Sequence, residues 1–233
     1  MYPTSNLWKN LVSEERHTFE TKVVINDVTY GQNQIFSMSA DLRMFSEQQP
    51  SVGGCLAGEL TLRMLAPSEA IPRMAKIEPY VRVTDGAQYS EWIPHGKYYI
   101  DTREITKNDD DLQILTIHAY DAMLKTEADY PNTTHSWPQT DIQTVREIAS
   151  TIGVGVDSRT VATMTHAYPI SLPASYSMRE VLGRIAAMYA GNWYMSYAGD
   201  LLLATINGIP PDTNYLIDNI GNTITFGGDR ILV

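Results

Sequence analysis

Leu112-Gln113-Ile114-Leu115-Thr116-Ile117-His118-Ala119-Tyr120-Asp121-Ala122-Met123-Leu124-Lys125 is the stretch on which the reading of this chain turns. In its first half Leu112, Ile114, Thr116 and His118 alternate with Gln113, Leu115, Ile117 and Ala119, and its β-branched residues suit a half-buried pleated surface. Around Tyr120 the pattern changes, and Asp121 to Glu127 reads as one or two helical turns. A strand that runs straight into a short helix divides the chain, with β character before it and mixed α and β character after it.

Before it, strand-like runs follow one another with turn formers between them. Thr21-Lys22-Val23-Val24-Ile25 and Val28-Thr29-Tyr30 flank Asn26-Asp27, a pair that accepts the positive φ of a two-residue hairpin loop. Ile35 to Met44, Gly58 to Met64, Pro79 to Val83 and Tyr98 to Ile105 are further runs. Gly53-Gly54, Ala66-Pro67, Asp85-Gly86 and Lys107-Asn108-Asp109-Asp110-Asp111 read as turns. Successive strands with no helical window between most of them predict an antiparallel barrel or sandwich rather than βαβ units. Ahead of them Leu7, Trp8 and Leu11, at helical spacing within Pro3 to His17, predict a short amphipathic helix or an ordered arm.

After it, Tyr130-Pro131-Asn132-Thr133-Thr134 reads as a linker, and a domain boundary is expected near residue 126. Asp141 to Ile152 puts Ile142, Val145, Ile148, Ala149 and Ile152 on one face, with Thr140 as N-cap and Gly153 as the stop. Ser177-Met178-Arg179-Glu180 has the capping-box spacing. The helix it opens should bury Val181, Leu182, Ile185, Ala186 and Tyr189 and end at Gly191. Asn192 to Tyr197, the turn Ala198-Gly199-Asp200 and Leu201 to Ile206 predict a hairpin directly after that helix. Asn207-Gly208-Ile209-Pro210-Pro211 reads as a second linker, and Ile217 to Phe226 as a return to β. The apolar ending Ile231-Leu232-Val233 reads as a chain cut inside or just after a strand. The expected fold class is α+β and β-rich.

Composition narrows the function. The 233 residues are 43% hydrophobic, which provides for a sizeable core, and no window approaches the ~20 apolar residues of a membrane span. Against 17 Lys and Arg stand 27 Asp and Glu, for a net charge of −10 divided evenly between residues 1–125 and 126–233. That balance argues against a nucleic-acid reader, which needs a basic face. A lone cysteine excludes an internal disulfide, and Cys55, beside Val52, Leu56 and Ala57, reads as a small buried residue rather than a nucleophile. His17, His95, His118, His135 and His166 are too scattered to share one helix or strand as a zinc pair, and His118 is expected in a core or an interface. The aspartates of residues 108–111 lack the alternate spacing of a calcium loop and read as a solvated hairpin. Nucleophile-elbow and phosphate-loop spacings are absent, and Gly53-Gly54 and Gly227-Gly228 read as turns. Asn132-Thr133-Thr134 matches a glycosylation acceptor, which without a leader is incidental. No catalytic, cofactor-binding or metal-ligating residue is expected, no cofactor, and no enzyme. The 14 tyrosines and four tryptophans could line a saccharide cleft, but in a β-rich chain they suit cores and subunit interfaces.

Four stretches carry a resemblance to a known family. They are the strand pair Gly58-Glu59-Leu60-Thr61-Leu62-Arg63-Met64 and Ile77-Glu78-Pro79-Tyr80-Val81-Arg82-Val83, the aromatic segment Trp92-Ile93-Pro94-His95-Gly96-Lys97-Tyr98-Tyr99-Ile100-Asp101, Leu115 to Lys125, and the helix, Gly-x-Trp strand and hairpin of Met178 to Ile206. Their order resembles the N-terminal region of bacteriophage tail hub proteins. These are the baseplate hub or tail-associated proteins of Gram-positive phages and prophages, related in fold to the spikes of contractile injection systems.

The resemblance implies a homotrimer whose first and third domains are related β-barrels in a pseudo-sixfold ring. Residues 1–125 are then an N-terminal arm and a tube-like antiparallel β-barrel, 126–208 a smaller α+β domain, and 209–233 the opening strands of a second barrel. The implied function is structural: a hub of the tail tip or baseplate that caps the tail tube, adapts sixfold to threefold symmetry and leaves a DNA conduit. The implied partners are the tail tube or distal tail protein, a tail spike or fibre, and the tape-measure protein. DNA would pass without specific binding, and the protein, made in the bacterial cytoplasm, would reside in the virion tail without membrane insertion. Acidity spread over both halves suits a wall past which a polyanion slides. The alternatives are a carbohydrate- or receptor-binding tail module, suggested by the aromatic content, and a tail-associated cell-wall hydrolase, which would need converging carboxylates or a His-Cys pair.

Overall fold

The computed structural model describes residues 4–42, 51–107, 111–131 and 136–206, and the backbone of 225–226 and 229–230. Helix α1 (Asn6–Ser13) is capped by Ser5, whose hydroxyl accepts the Trp8 N–H at 3.0 Å, and it buries Leu11. Strands β1 (Thr18–Ile25) and β2 (Val28–Gly31) form the expected hairpin, with Asn26 and Asp27 at φ 45° and 69°. After a 3-10 turn at Gln32–Gln34 come β3 (Ile35–Asp41), β4 (Glu59–Leu65), β5 (Lys76–Thr84), β6 (Ile93–Pro94), β7 (Tyr98–Lys107) and β8 (Gln113–Asp121). Among the described residues these eight strands make one antiparallel sheet in the order β2-β1-β5-β7-β8-β4-β3, with β6 paired to β5.

One face of this sheet is apolar because the registers put like residues opposite one another. Leu62 lies across from Ile117, Leu60 from Ala119 and Ile25 from Ile77, and these join Val23, Tyr98 and Ile100 in a first core. The edges β2 and β3 are consecutive in sequence, so the sheet rolls until both edges reach one corner. The short 3-10 turn crosses that seam where a ladder would otherwise close it. The expected tube-like barrel is therefore a rolled but open sheet. A two-residue loop fixes the β1–β2 register, and β2 runs out at Gly31, opposite Lys22, before it can bridge the seam.

Asp121 ends β8 and caps a 3-10 segment, Ala122–Glu127, where one or two helical turns were expected. The elements that follow are β9 (Gln139–Thr140), α2 (Asp141–Ile152), α3 (Ser158–Thr163), β10 (Pro169–Ile170), α4 (Met178–Met188), β11 (Gly191–Met195), β12 (Leu201–Thr205), β13 (Thr225–Phe226) and β14 (Asp229–Arg230). Helix α2 has the expected bounds, with a Thr140–Gln143 capping box and Gly153 left-handed at φ 77°. Helix α4 opens on the Ser177–Glu180 box and buries Val181, Leu182, Ile185 and Ala186. It stops earlier than expected: Tyr189 is its half-buried C-cap, and Ala190, at φ 49°, turns the chain. These helices, with β11 and β12, enclose a second core that includes Val145, Ile148, Leu182, Ile185, Trp193 and Leu203.

Residues 51–57 cross from the first sheet into this second core. Gly53 donates its N–H to Gly191 O at 2.8 Å, Trp193 donates to Gly54 O at 2.8 Å, and Cys55 bridges Trp193 in parallel. Asn192, buried, accepts the Gly54 N–H through Oδ1 at 2.6 Å and donates Nδ2 to Ser51 O at 2.7 Å. The crossing segment thereby acts as a third strand beside the β11–β12 hairpin.

Several expectations fall outside the described residues: Arg43 and Met44 of the third run, residues 108–110, the acceptor triplet Asn132-Thr133-Thr134, His135, the second linker, residues 217–224, Gly227-Gly228 and the apolar ending. Among the described residues no helix is long and apolar enough to cross a membrane.

Candidate functional site

The residues singled out for chemistry are dispersed. Among the described residues no three His, Cys, Asp or Glu side chains gather where a metal ion could be held. Cys55 is buried, its Sγ directs toward Arg179 O at 3.7 Å, and burial pushes its thiol up to about 12, so it is no thiolate nucleophile. His118 is exposed on the outer face of β8, with Nδ1 3.3 Å from Thr61 Oγ1, and is not a core residue. His95 is half-buried with its ring 5.5 Å from that of Tyr197, and burial lowers its pKa. His17 sits edge-on to Phe19, and His166 lies 5.3 Å from Tyr168. Asp111 pairs with Lys107 at 2.7 Å on the exposed surface. Of the tryptophans, Trp193 is fully buried, its Nε1 donating to Leu182 O at 2.7 Å, and Trp137 packs against the second core. Gly53 is more than a turn residue: a Cβ added to Gly183 of α4 would stand 2.8 Å from Gly53 O, so this glycine pair lets loop and helix touch.

The two cores are fastened at the segment after β8. Asp121, 2% exposed, accepts the Gly58 N–H at 2.8 Å and the Met123 N–H at 2.9 Å. Burial raises its carboxyl to about 6, although both backbone donors and the nearby Arg179 pull the other way. Arg179 reaches from the first turn of α4 to Met123 O (3.2 Å), Thr126 Oγ1 (3.4 Å) and the Glu127 carboxylate (2.6 Å). Lys125 lies 3.7 Å from the Tyr99 ring centroid and donates to Ile152 O at the C-terminal end of α2, where a cation is favoured. Glycines occupy the close approaches here. A Cβ on Gly58 would meet the Asp121 carboxylate, and one on Gly199 the Lys97 stem.

What the molecule offers outward is edges. Strand β3 is an edge strand whose residues are exposed or half-exposed throughout, with Phe36 54% exposed, and it carries neither Lys nor Pro. A register shift between Ile35 and Ser37 perturbs only its first end. Its one charged residue is the terminal Asp41, and among the described residues no strand pairs with its outer side, so the edge is a template for another strand. The β7–β8 hairpin projects from the same sheet. It is paired out to Lys107 and Gln113, while Arg103 to Lys107 are exposed and Ile105 is 59% exposed. The described residues thus present two fastened cores, a sheet edge that no strand among them covers and a protruding ribbon.

No family model matches the chain, and no curated protein matches it. Among solved structures the fold is similar to the 43 kDa tail protein of prophage MuSo2 from Shewanella oneidensis, at 14% identity and a TM-score of 0.53, over 81% of this chain and 56% of that one. It is also similar to the tail protein from Neisseria meningitidis MC58, at 10% identity and a TM-score of 0.55, over 88% of this chain and 53% of that one. The chain spans about half the length of these tail proteins, and it shares their β-rich α+β fold.

Proposed function

We propose that this chain, built on the fold of phage tail proteins, is the N-terminal part of a trimeric hub at the tail tip or baseplate. The hub caps the tail tube, matches its sixfold symmetry to threefold tip parts and leaves a conduit for DNA. The observation that carries the reading is the rolled sheet, whose β3 edge no strand covers among the described residues, together with its projecting hairpin, both surfaces to which strands of neighbouring copies could add. The two fastened cores support a division near residue 126 into a tube-like unit and an α+β unit. The net charge of −10 supports a wall that repels rather than holds the nucleic acid passing it. On this reading the partners are two further copies, the tail tube or distal tail protein, a spike or fibre and the tape-measure protein, and the role is structural rather than catalytic.

Light scattering and electron-microscopic class averages of the natural full-length protein test this. A trimeric ring with a central opening, and no retention of duplex DNA at physiological salt, are expected. A monomer at tens of micromolar, or a closed centre, would refute it.

A further inference from the structure

We propose that the groove beside the unpartnered end of β1 binds an extended, acidic peptide segment of another protein as an added strand. This inference does not depend on the hub reading.

β2 pairs with β1 only from Ile25 back to Lys22, so Thr18 to Thr21 have no strand on that side among the described residues. In a two-residue hairpin the flanking pair, Ile25 and Val28, exchanges backbone hydrogen bonds. Alternation then turns the N–H and C=O of Val23, Thr21 and Phe19 toward the same side. The Thr21 N–H confirms the direction: its acceptor is Gln32 Oε1, at 3.4 Å, a long contact standing where a strand carbonyl would give a shorter one. This open ladder forms one wall of a groove of about 640 Å³, whose other walls include Gln32, Asn33, Arg82 and Trp92.

The outer face above the ladder is a row of cations between aromatic rings. Lys22 Nζ lies 5.0 Å from the Tyr80 centroid and 4.6 Å from that of Trp92, and Arg82 Cζ lies 4.5 Å from Trp92 and 4.3 Å from Tyr89. Glu20 neutralises Arg82 through contacts of 2.8 Å and 2.6 Å. Lys22 forms no ion pair among the described residues, so one positive charge is left on the groove wall.

These observations select the occupant. Cations cover Trp92, so its ring is poorly placed to stack a sugar. An unpaired backbone ladder is read by another backbone, and the uncompensated ammonium of Lys22 selects a carboxylate on the added strand. The strand would lie along the line that β2 leaves at Gly31 and pair with Phe19 and Thr21.

The test is an array of octapeptides in which Asp or Glu alternates with Val, Thr or Ile, with Gln and Lys copies of each and chitin hexasaccharide as a separate probe, read against the intact chain. Acidic peptides should bind, with Gln copies weaker by about tenfold. Lys22→Glu should shift preference to the Lys copies. Thr21→Pro removes a groove-facing N–H while sparing the ladder to β5, and should abolish binding with the far-ultraviolet circular dichroism unchanged. Equal binding of acidic and Gln copies, absence of binding by any acidic peptide at about 1 mM, or resonance shifts at Thr21 and Lys22 caused by the saccharide and not by peptides would each overturn the proposal.

Discussion

Asp121→Asn separates the pH dependence of the junction from that of the rest of the molecule. Burial raises the Asp121 carboxyl from 3.8 to about 6, so folding favours its protonated form. Its contribution to stability is complete below 3.8 and is lost as pH rises through about 6. Between pH 7 and pH 4.5 the wild-type protein should therefore gain about 2 kcal/mol from this group relative to a variant that cannot titrate. The asparagine keeps one acceptor oxygen for two backbone donors, Gly58 and Met123, which costs the variant about 1–3 kcal/mol at every pH. His95, which burial pushes the other way, titrates in both proteins and cancels from the difference. Urea unfolding followed by the fluorescence of buried Trp193, at pH 7, 6, 5.5 and 4.5, supplies the measurement. The gap between wild type and variant should widen as pH falls. A gap that stays constant from pH 7 to 4.5 would show that the burial implied by the 2% exposure of Asp121 does not outweigh its two backbone donors.

Gly183→Ala forces a Cβ to within 2.8 Å of Gly53 O, a backbone atom that cannot swing aside, and should destabilise the protein by about 1–3 kcal/mol, measured by thermal or urea unfolding. Cys55, buried and with its thiol pushed up to about 12, should react with a thiol-specific disulfide reagent at a small fraction of the rate of a free cysteine until denaturant exposes it. Rapid reaction in the native protein would contradict the packing of residues 51–57.

What could be read from the sequence was local. The left-handed pair Asn26-Asp27, the Ser177–Glu180 box and Gly153 each satisfy a need of their own backbone, so hairpin and helix ends appear with little outside help. Helix α3 was not legible: it spans six residues, buries only Thr160 and offers no apolar stripe, its start being set by the Asp157 carboxylate accepting the Arg159 N–H. Nor was the break between β6 and β7 legible, where Gly96, at φ 106°, turns one apparent run into two strands along β5. Residues with a tertiary role were hardest. Gly53-Gly54 has the composition of a turn, and what makes it a contact is Gly183, far along the chain on α4. His118 sits in an apolar run, but its register opposite Thr61 turns it outward. The groove at β1 was not legible, because it exists only where one strand stops before its neighbour.

The crossing of residues 51–57 also sets an order of assembly. During synthesis the segment that completes the α+β sheet emerges early and has no partner until Gly191, Asn192 and Trp193 have been made, so the second core closes last, around a piece supplied by the first half. A fragment beginning near residue 126 would lack a strand of its own sheet and would leave Asn192 without its backbone partners. The two halves are thus neither interchangeable nor separable modules, since the second core is built around a strand that the first half supplies.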